Sequence, residues 1–265
     1  MFNLKKPYTI VFPALFAALL AGSAAAQQPQ NTQEKNQKKT TATQNTERDR
    51  NREKSDEADR AAEATGVLTE IMNVPENAIP EELMARAHGI AVIPHVVKGA
   101  FGIGGQWGKG LMSQRREDGS WSLPAYVEIG GGSFGFQIGV QATDVVLVFT
   151  DETGLKGLLK GKVKLGADAS ATAGPVGRKA EVGTDILLRS GVFSYSRSKG
   201  LFAGVSLDGS VIRNDDSANW RVYGKELTAE QILLGNQVRT NSTVDPFVKT
   251  LQKVSPPHVH AAKKS

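Results

Sequence analysis

The chain has 265 residues, no cysteine and a formal net charge of +5. The missing cysteines exclude disulfide staples, thiolate metal ligands and a cysteine nucleophile, and so small a charge does not by itself point to a nucleic-acid partner. The length leaves room for one globular domain held by its own core.

The chain opens MFNLKKPYTIVFPALFAALLAGSAAAQQ. Lys5 and Lys6 precede an apolar run from about Tyr8 to Ala21, and Ala24 and Ala26 form a small-residue cleavage site. That is the order of a secretory signal peptide, with the cut expected after Ala26. The apolar run is short for a membrane span. Removing residues 1–26 takes away Lys5 and Lys6, so the formal charge falls from +5 to +3. Without a cysteine at the cut there is no place for a lipid, so the protein is expected to be exported without an anchor, to the periplasm or the medium.

Residues 27–54 are almost devoid of apolar side chains, and their charges roughly balance. Such a segment buries too little surface to offset its ordering entropy, so it is expected to be a disordered polar linker and not a nucleic-acid arm. A helix is expected over about Asp56–Met72, capped by Ser55, with Ala61, Ala64, Leu68, Ile71 and Met72 at helical spacing and Pro75 ending it. IPEELMARAHG predicts a second, short helix with Pro80 in its first turn.

From Gly89 the texture changes. All 28 glycines except Gly22 and Gly66 lie between Gly89 and Gly235, among repeated period-two alternations. GIAVIP, FGIGGQW, AYVEI, ILLRSGVFSYSRS and GLFAGVSLDGSVI are expected strands, and Asp118–Gly119 signals a hairpin. DVVLVFT (144–150) is apolar on both faces and should be central. DETGLKGLLKGK is an interrupting helix with Leu155, Leu158 and Leu159 on one side. TAEQILLG and DPFVKTLQKV are closing helices, and SPPHVHAAKKS (255–265) a flexible tail.

GGGSFGFQIGV (130–140) matches both a dinucleotide-binding G-x-G-x-x-G and a hydrolase G-x-S-x-G. Both motifs need a strand-to-helix turn. Here Phe134, Phe136, Ile138 and Val140 alternate at strand period, so neither applies. Of the four histidines, His88 and His95 abut short elements, and His258 and His260 sit in the tail, so Ser133 lacks a positioned base. No catalytic residue, metal site or cofactor is expected. Glycines recur on one strand face at Gly102, Gly104, Gly135, Gly139 and Gly204, which lets a sheet curl tightly or another layer approach. The fold class expected is therefore α+β, mainly antiparallel: a strongly curved glycine-rich sheet or partial barrel, with peripheral helices at both ends.

GIAVIPHVVKGAFGIGGQWGKG, VEIGGGSFGFQIGVQATDVVLVF, KLGADASATAGPVGR and YSRSKGLFAGVSLDGSVI, in this order, resemble the SYLF domain family over roughly Ala61–Gly235. The resemblance implies a non-catalytic lipid-binding module within residues 55–254; the family is named for eukaryotic phosphoinositide-binding adaptors, some of which bind actin, and has secreted bacterial members. Two departures matter. Lipid binding in the eukaryotic members is tied to a basic N-terminal segment, whereas SDEADRAAEATGVLTEIM here is acidic. No segment resembles an SH3 or FYVE domain, and export removes access to cytoplasmic actin, so actin binding is not carried over.

An anionic headgroup needs clustered cations. Lys156, Lys160, Lys162, Lys164, Arg178 and Lys179 are opposed only by Asp168 in the same stretch. The leucines beside them have two available roles, dipping into lipid or packing on the sheet. Arg197 and Lys199, with Lys98 and Lys109 in the glycine-rich turns, form a second, weaker set. The leading expectation is a module that binds anionic phospholipid or phosphoinositide-like headgroups at a membrane surface, with no nucleic-acid partner. The alternative is an envelope scaffold or protein-interaction domain with an unknown protein partner.

Overall fold

Alternating apolar residues build one nine-stranded sheet whose two faces are both covered. The computed structural model describes residues 31–101, 103–133, 139–183, 190–198, 200–224, 226–235 and 240–257. The expected signal peptide, Phe134–Ile138, Lys199, His258 and His260 fall outside them. The chain divides at Thr46/Glu47, and the sheet belongs to the second unit.

Helix α1 spans Asn31–Asn73. The sequence reading starts this helix near Asp56 and leaves the linker without structure. The difference has a local cause: residues 31–65 contain no glycine or proline and are rich in Glu, Gln, Lys and Arg, which lose little side-chain freedom in a helix. In the second unit, Ala61, Ala64, Leu68, Ile71 and Met72 are all buried, at the expected spacing. Helix α2 (Glu81–Arg86) follows, with Pro80 as N-cap.

The strands are β1 (Gly89–Phe101), β2 (Ile103–Gln114), β3 (Ala125–Ser133), β4 (Gly139–Phe149), β5 (Lys162–Lys164), β6 (Ala171–Ala173), β7 (Val192–Ser198), β8 (Leu201–Gly204) and β9 (Val211–Asn214). Helix α3 (Glu152–Leu159) leads into β5, α4 (Asp216–Tyr223) follows β9, and α5 (Ala229–Leu233) and α6 (Asp245–Val254) close the described chain. The order across the sheet is β5-β9-β3-β2-β1-β4-β7-β6, with β8 also on β7. All pairings are antiparallel except β6 with β7. The expected α+β class holds: the sheet curls into a half-barrel, with six helices among the described residues.

Three elements differ from expectation. GIAVIP and FGIGGQW are not simply consecutive short strands, because β1 runs straight through Pro94 and His95. It does so on a bulge: the register shifts between Ile93 and Val96, His95 takes φ 49°, and its N–H donates to Asp144 Oδ1 at 3.0 Å. GLFAGVSLDGSVI is two strands, since Asp208–Gly209 makes a turn with Gly209 at φ 83°. Helix α4 was not foreseen, although Asp215 caps its N-terminus and Gly224 ends it in the left-handed conformation.

Glycine supplies the curl. A Cβ on Gly110 would overlap the Val92 carbonyl oxygen on the neighbouring strand, and one on Gly108 would lie 2.8 Å from Val96 Cγ2. Both face the same side, which is therefore the inner one. The inner face is filled by Ala91, Ile93, Met112, Val127, Ile129, Val145, Leu147 and Phe149, with Leu155 and Leu158 of α3. The outer face packs Ile90, Val92, Tyr126, Val146, Val148, Phe193 and Tyr195 against α1, α2 and α6.

Candidate functional site

Helix α3 and strand β5 form a platform at one edge of the sheet. Asp151 starts α3 by accepting N–H bonds from Thr153 at 2.9 Å and Gly154 at 3.3 Å. Leu155 and Leu158 are buried on the inner face, each stabilising the docking by roughly 1.5–3 kcal/mol. Of the two roles open to the leucines, packing on the sheet is the one Leu155 and Leu158 take, while Leu159 is half-buried against the cluster of Ala125, Ala229, Ile232 and Leu233. Gly161, at φ 117°, turns the chain back into β5, where Val163 is buried between exposed Lys162 and Lys164.

The platform carries its cations on the solvent side. Lys156 pairs with Glu152 at 2.8 Å, and that hydrogen bond raises its pKa. Lys160, Lys162 and Lys164 are exposed and have no acidic side-chain partner among the described residues. Asp168, the one acid in the stretch from Lys156 to Lys179, turns to the backbone: its Oδ2 accepts the Lys164 N–H at 2.7 Å. Lys162 stands opposite Arg213 of β9 in the ladder. The sequence reading missed Arg213, since nothing in VIRND shows that it lands beside β5; it is paired with Glu128.

The remaining expected residues lie elsewhere. Arg178 Nη2 donates to the Met72 carbonyl at 2.7 Å, and its backbone N–H donates to Pro75 at 2.8 Å. It fastens the turn after β6 to the end of α1. Neighbouring Lys179 is exposed. Arg197 donates through Nε to Asp144 Oδ2 at 2.7 Å, pairs with Glu70 and lies over the Phe202 ring. It ties β7 to β4 and α1. Lys98 and Lys109 are in strands, not turns, and Lys109 pairs with Asp215 at 3.0 Å. Lys156 stands on α3 and Lys160 at its C-cap, and Leu155 and Leu158 of that helix cover the inner face, whereas Lys162 and Lys164 stand on β5 with their side chains on the face opposite inward Val163. Arg178, Lys179 and Arg197 lie elsewhere in the fold, and Lys199 is outside the described residues.

A second charged region lies between α1 and the outer face. Glu57, Arg221, Arg60, Asp215 and Lys109 join in a chain of ion pairs, with Arg221 Nη2 to Glu57 Oε1 at 2.8 Å and Arg60 Nη1 to Asp215 Oδ2 at 3.2 Å. Burial alone would raise the Asp215 pKa, but hydrogen bonds from Lys109 and the Ala218 N–H bring it below the usual range. Tyr126 completes the region, its hydroxyl donating to the Glu57 carbonyl at 3.0 Å. Every charge here has a partner of opposite sign.

Among the described residues, no group of three or more His, Asp or Glu could hold a metal ion, and no helix is long and apolar enough to cross a membrane. Gly130–Ser133 are part of β3, opposite Gly104–Trp107, as the strand period requires.

A family model described as Ysc84, Las17-binding protein actin regulator, matches residues 130–254. LAS seventeen-binding protein 3 of Saccharomyces cerevisiae is 37% identical over 180 residues, covering 67% of this chain and 39% of the relative. Protein YSC84 of the same organism is 37% identical over 180 residues, with 67% and 38% covered. The SH3 domain-containing YSC84-like protein 1 of Homo sapiens is 34% identical over 194 residues, with 72% and 56% covered. The chain therefore spans between about two fifths and just over half the length of these relatives.

Proposed function

Since the chain belongs to the Ysc84 family, the SYLF domain family of the sequence motifs, we propose that it is an exported, non-catalytic module that docks on anionic phospholipid headgroups through the α3–β5 platform. One observation carries this reading: Lys160, Lys162 and Lys164 stand exposed and without acidic partners among the described residues, on an edge whose Leu155 and Leu158 are already buried. Each such cation contributes about 1 kcal/mol beside an anionic surface. Lys156, held to Glu152, adds less. Because the leucines pack inward, attraction to the surface is electrostatic and falls as salt rises. Export follows from Lys5–Lys6, the apolar run and Ala24-x-Ala26, and N-terminal sequencing should find Gln27 first.

Sedimentation with vesicles tests the docking. The protein should pellet with phosphatidylglycerol-containing vesicles and stay in solution with neutral phosphatidylcholine. Equal recovery from both would refute it. A second reading rests on the family description and on the name of one yeast relative, LAS seventeen-binding protein 3: the same platform would then take an acidic protein segment. Pull-down of such a segment by a protein indifferent to vesicles would favour it.

A further inference from the structure

The inner face of the half-barrel changes character along its strands. Near α3 it is wholly apolar, filled by Leu147, Phe149, Leu155 and Leu158. Beyond Val96 on β1 the inward positions are Lys98 on β1, Gln106 on β2, and Gln141 and Thr143 on β4. Register fixes their neighbourhood: Lys98 is opposite both Gln106 and Gln141, and Thr143 is opposite Val96. Opposed side chains on adjacent strands have Cβ atoms about 5 Å apart and diagonal ones about 7–8 Å, so Lys98 reaches all three. The Gln106 amide donates to the hydroxyl of Ser210, which brings the turn before β9 over this corner. Gly131 permits that approach, since a Cβ there would lie 3.0 Å from Ser210 Cα.

Two groups in this corner lack partners. Thr143 is 5% exposed, and its Oγ1 is buried with no hydrogen-bond partner among the described residues. Lys98 is half-buried with no acidic partner among the described residues, and desolvation holds its ammonium below the usual lysine range. Ser210 accepts from Gln106, so its own hydroxyl proton is left to donate. A half-buried cation and a buried hydroxyl are each unfavourable alone, and one oxyanion relieves both.

We propose that this inner corner binds a single phosphate group, as the free ion or as a phosphate monoester, with Lys98 supplying the charge and Thr143 and Ser210 the hydroxyl donors. The donors come from two neighbouring strands, β1 and β4, and from the turn before β9. The site is separate from the lysines of the α3–β5 platform and does not depend on their role.

Calorimetric titration of the full chain with inorganic phosphate, and separately with glycerol 3-phosphate, tests it. One saturable site is expected. Lys98→Met should weaken binding by at least about tenfold, as loss of a charge-assisted contact does. Thr143→Val should weaken it by about three- to tenfold. The phosphate-free thermal midpoint of Thr143→Val should not fall, because that hydroxyl has no partner to lose. A variant with Lys160, Lys162 and Lys164 changed to glutamine should bind as the parent does. Saturation by phosphate assigns the free ion, and saturation by glycerol phosphate alone assigns an esterified headgroup; both support the site. No saturable binding of either, undiminished affinity in Lys98→Met or Thr143→Val, or affinity lost in the platform variant, overturns it. Should Lys98→Met fail to fold, Thr143→Val decides alone.

Discussion

Arg197 and Lys162 carry the same charge and serve opposite ends. Arg197 sits between Asp144 and Glu70, one quarter exposed, and joins three elements. Lys162 projects from an edge strand with no acidic partner among the described residues. The region between α1 and the sheet resembles Arg197 throughout, since Glu57, Arg60, Lys109, Asp215 and Arg221 neutralise one another. The α3–β5 platform resembles Lys162. A charge already satisfied within the fold holds the fold together, and one left exposed and unpaired is available to an outside partner.

The contrast is sharpest when each kind is removed. Arg197→Gln leaves Asp144, 7% exposed, without its cation. Stranding a buried charge costs about 3–5 kcal/mol, so chemical denaturation should show a loss of that order, and Asp144→Asn in the same chain should recover part of it. Unchanged stability would mean that Arg197 belongs with the free cations. Replacing Lys156, Lys160, Lys162 and Lys164 with glutamine should do the reverse. Affinity for anionic vesicles should fall by about two to three orders of magnitude at most, while the thermal midpoint barely moves, because surface substitutions of this kind shift stability little. A third variant probes the scaffold common to both regions. Gly110→Ala drives a methyl group into the Val92 carbonyl and should cost about 1–3 kcal/mol. A chain starting at Ser55 should show the smallest effect. It removes a helical stretch whose described side chains, residues 47–54, are exposed, and its melting temperature should match that of the chain from Gln27. A drop of many degrees would show that the stretch packs.

Much of this was legible in the sequence, and the limits follow from distance along the chain. The apolar spacing of Ala61 to Met72, the central strand ending at Phe149 and the Thr228-capped α5 are local patterns, and local patterns report local structure. The glycine-rich faces likewise announced a tightly curled sheet. The fates of the cations were not local. Arg178 meets Met72 across 106 residues, and Arg197 meets Asp144 across 53. In the sequence both arginines look as available as Lys160. Pro94 similarly suggested a strand end, because the carboxylate that holds the bulge open belongs to Asp144 on another strand. The platform lysines were legible because four of them are close neighbours on one helix–strand unit, and the burial of Val163 between two of them follows from period two.

Position, not total charge, is what the platform is held to contribute, so the decisive measurement compares two variants of equal charge. One has Lys160, Lys162 and Lys164 changed to glutamine. The other has Lys179, Lys249 and Lys253 changed, three exposed lysines away from α3 and β5. Binding of each to phosphatidylglycerol vesicles is measured at the same ionic strength. The first should bind about a hundredfold more weakly than the parent, and the second within a few-fold of it. Equal losses in both, or parent-like binding by the first, would contradict a lipid site on the α3–β5 platform.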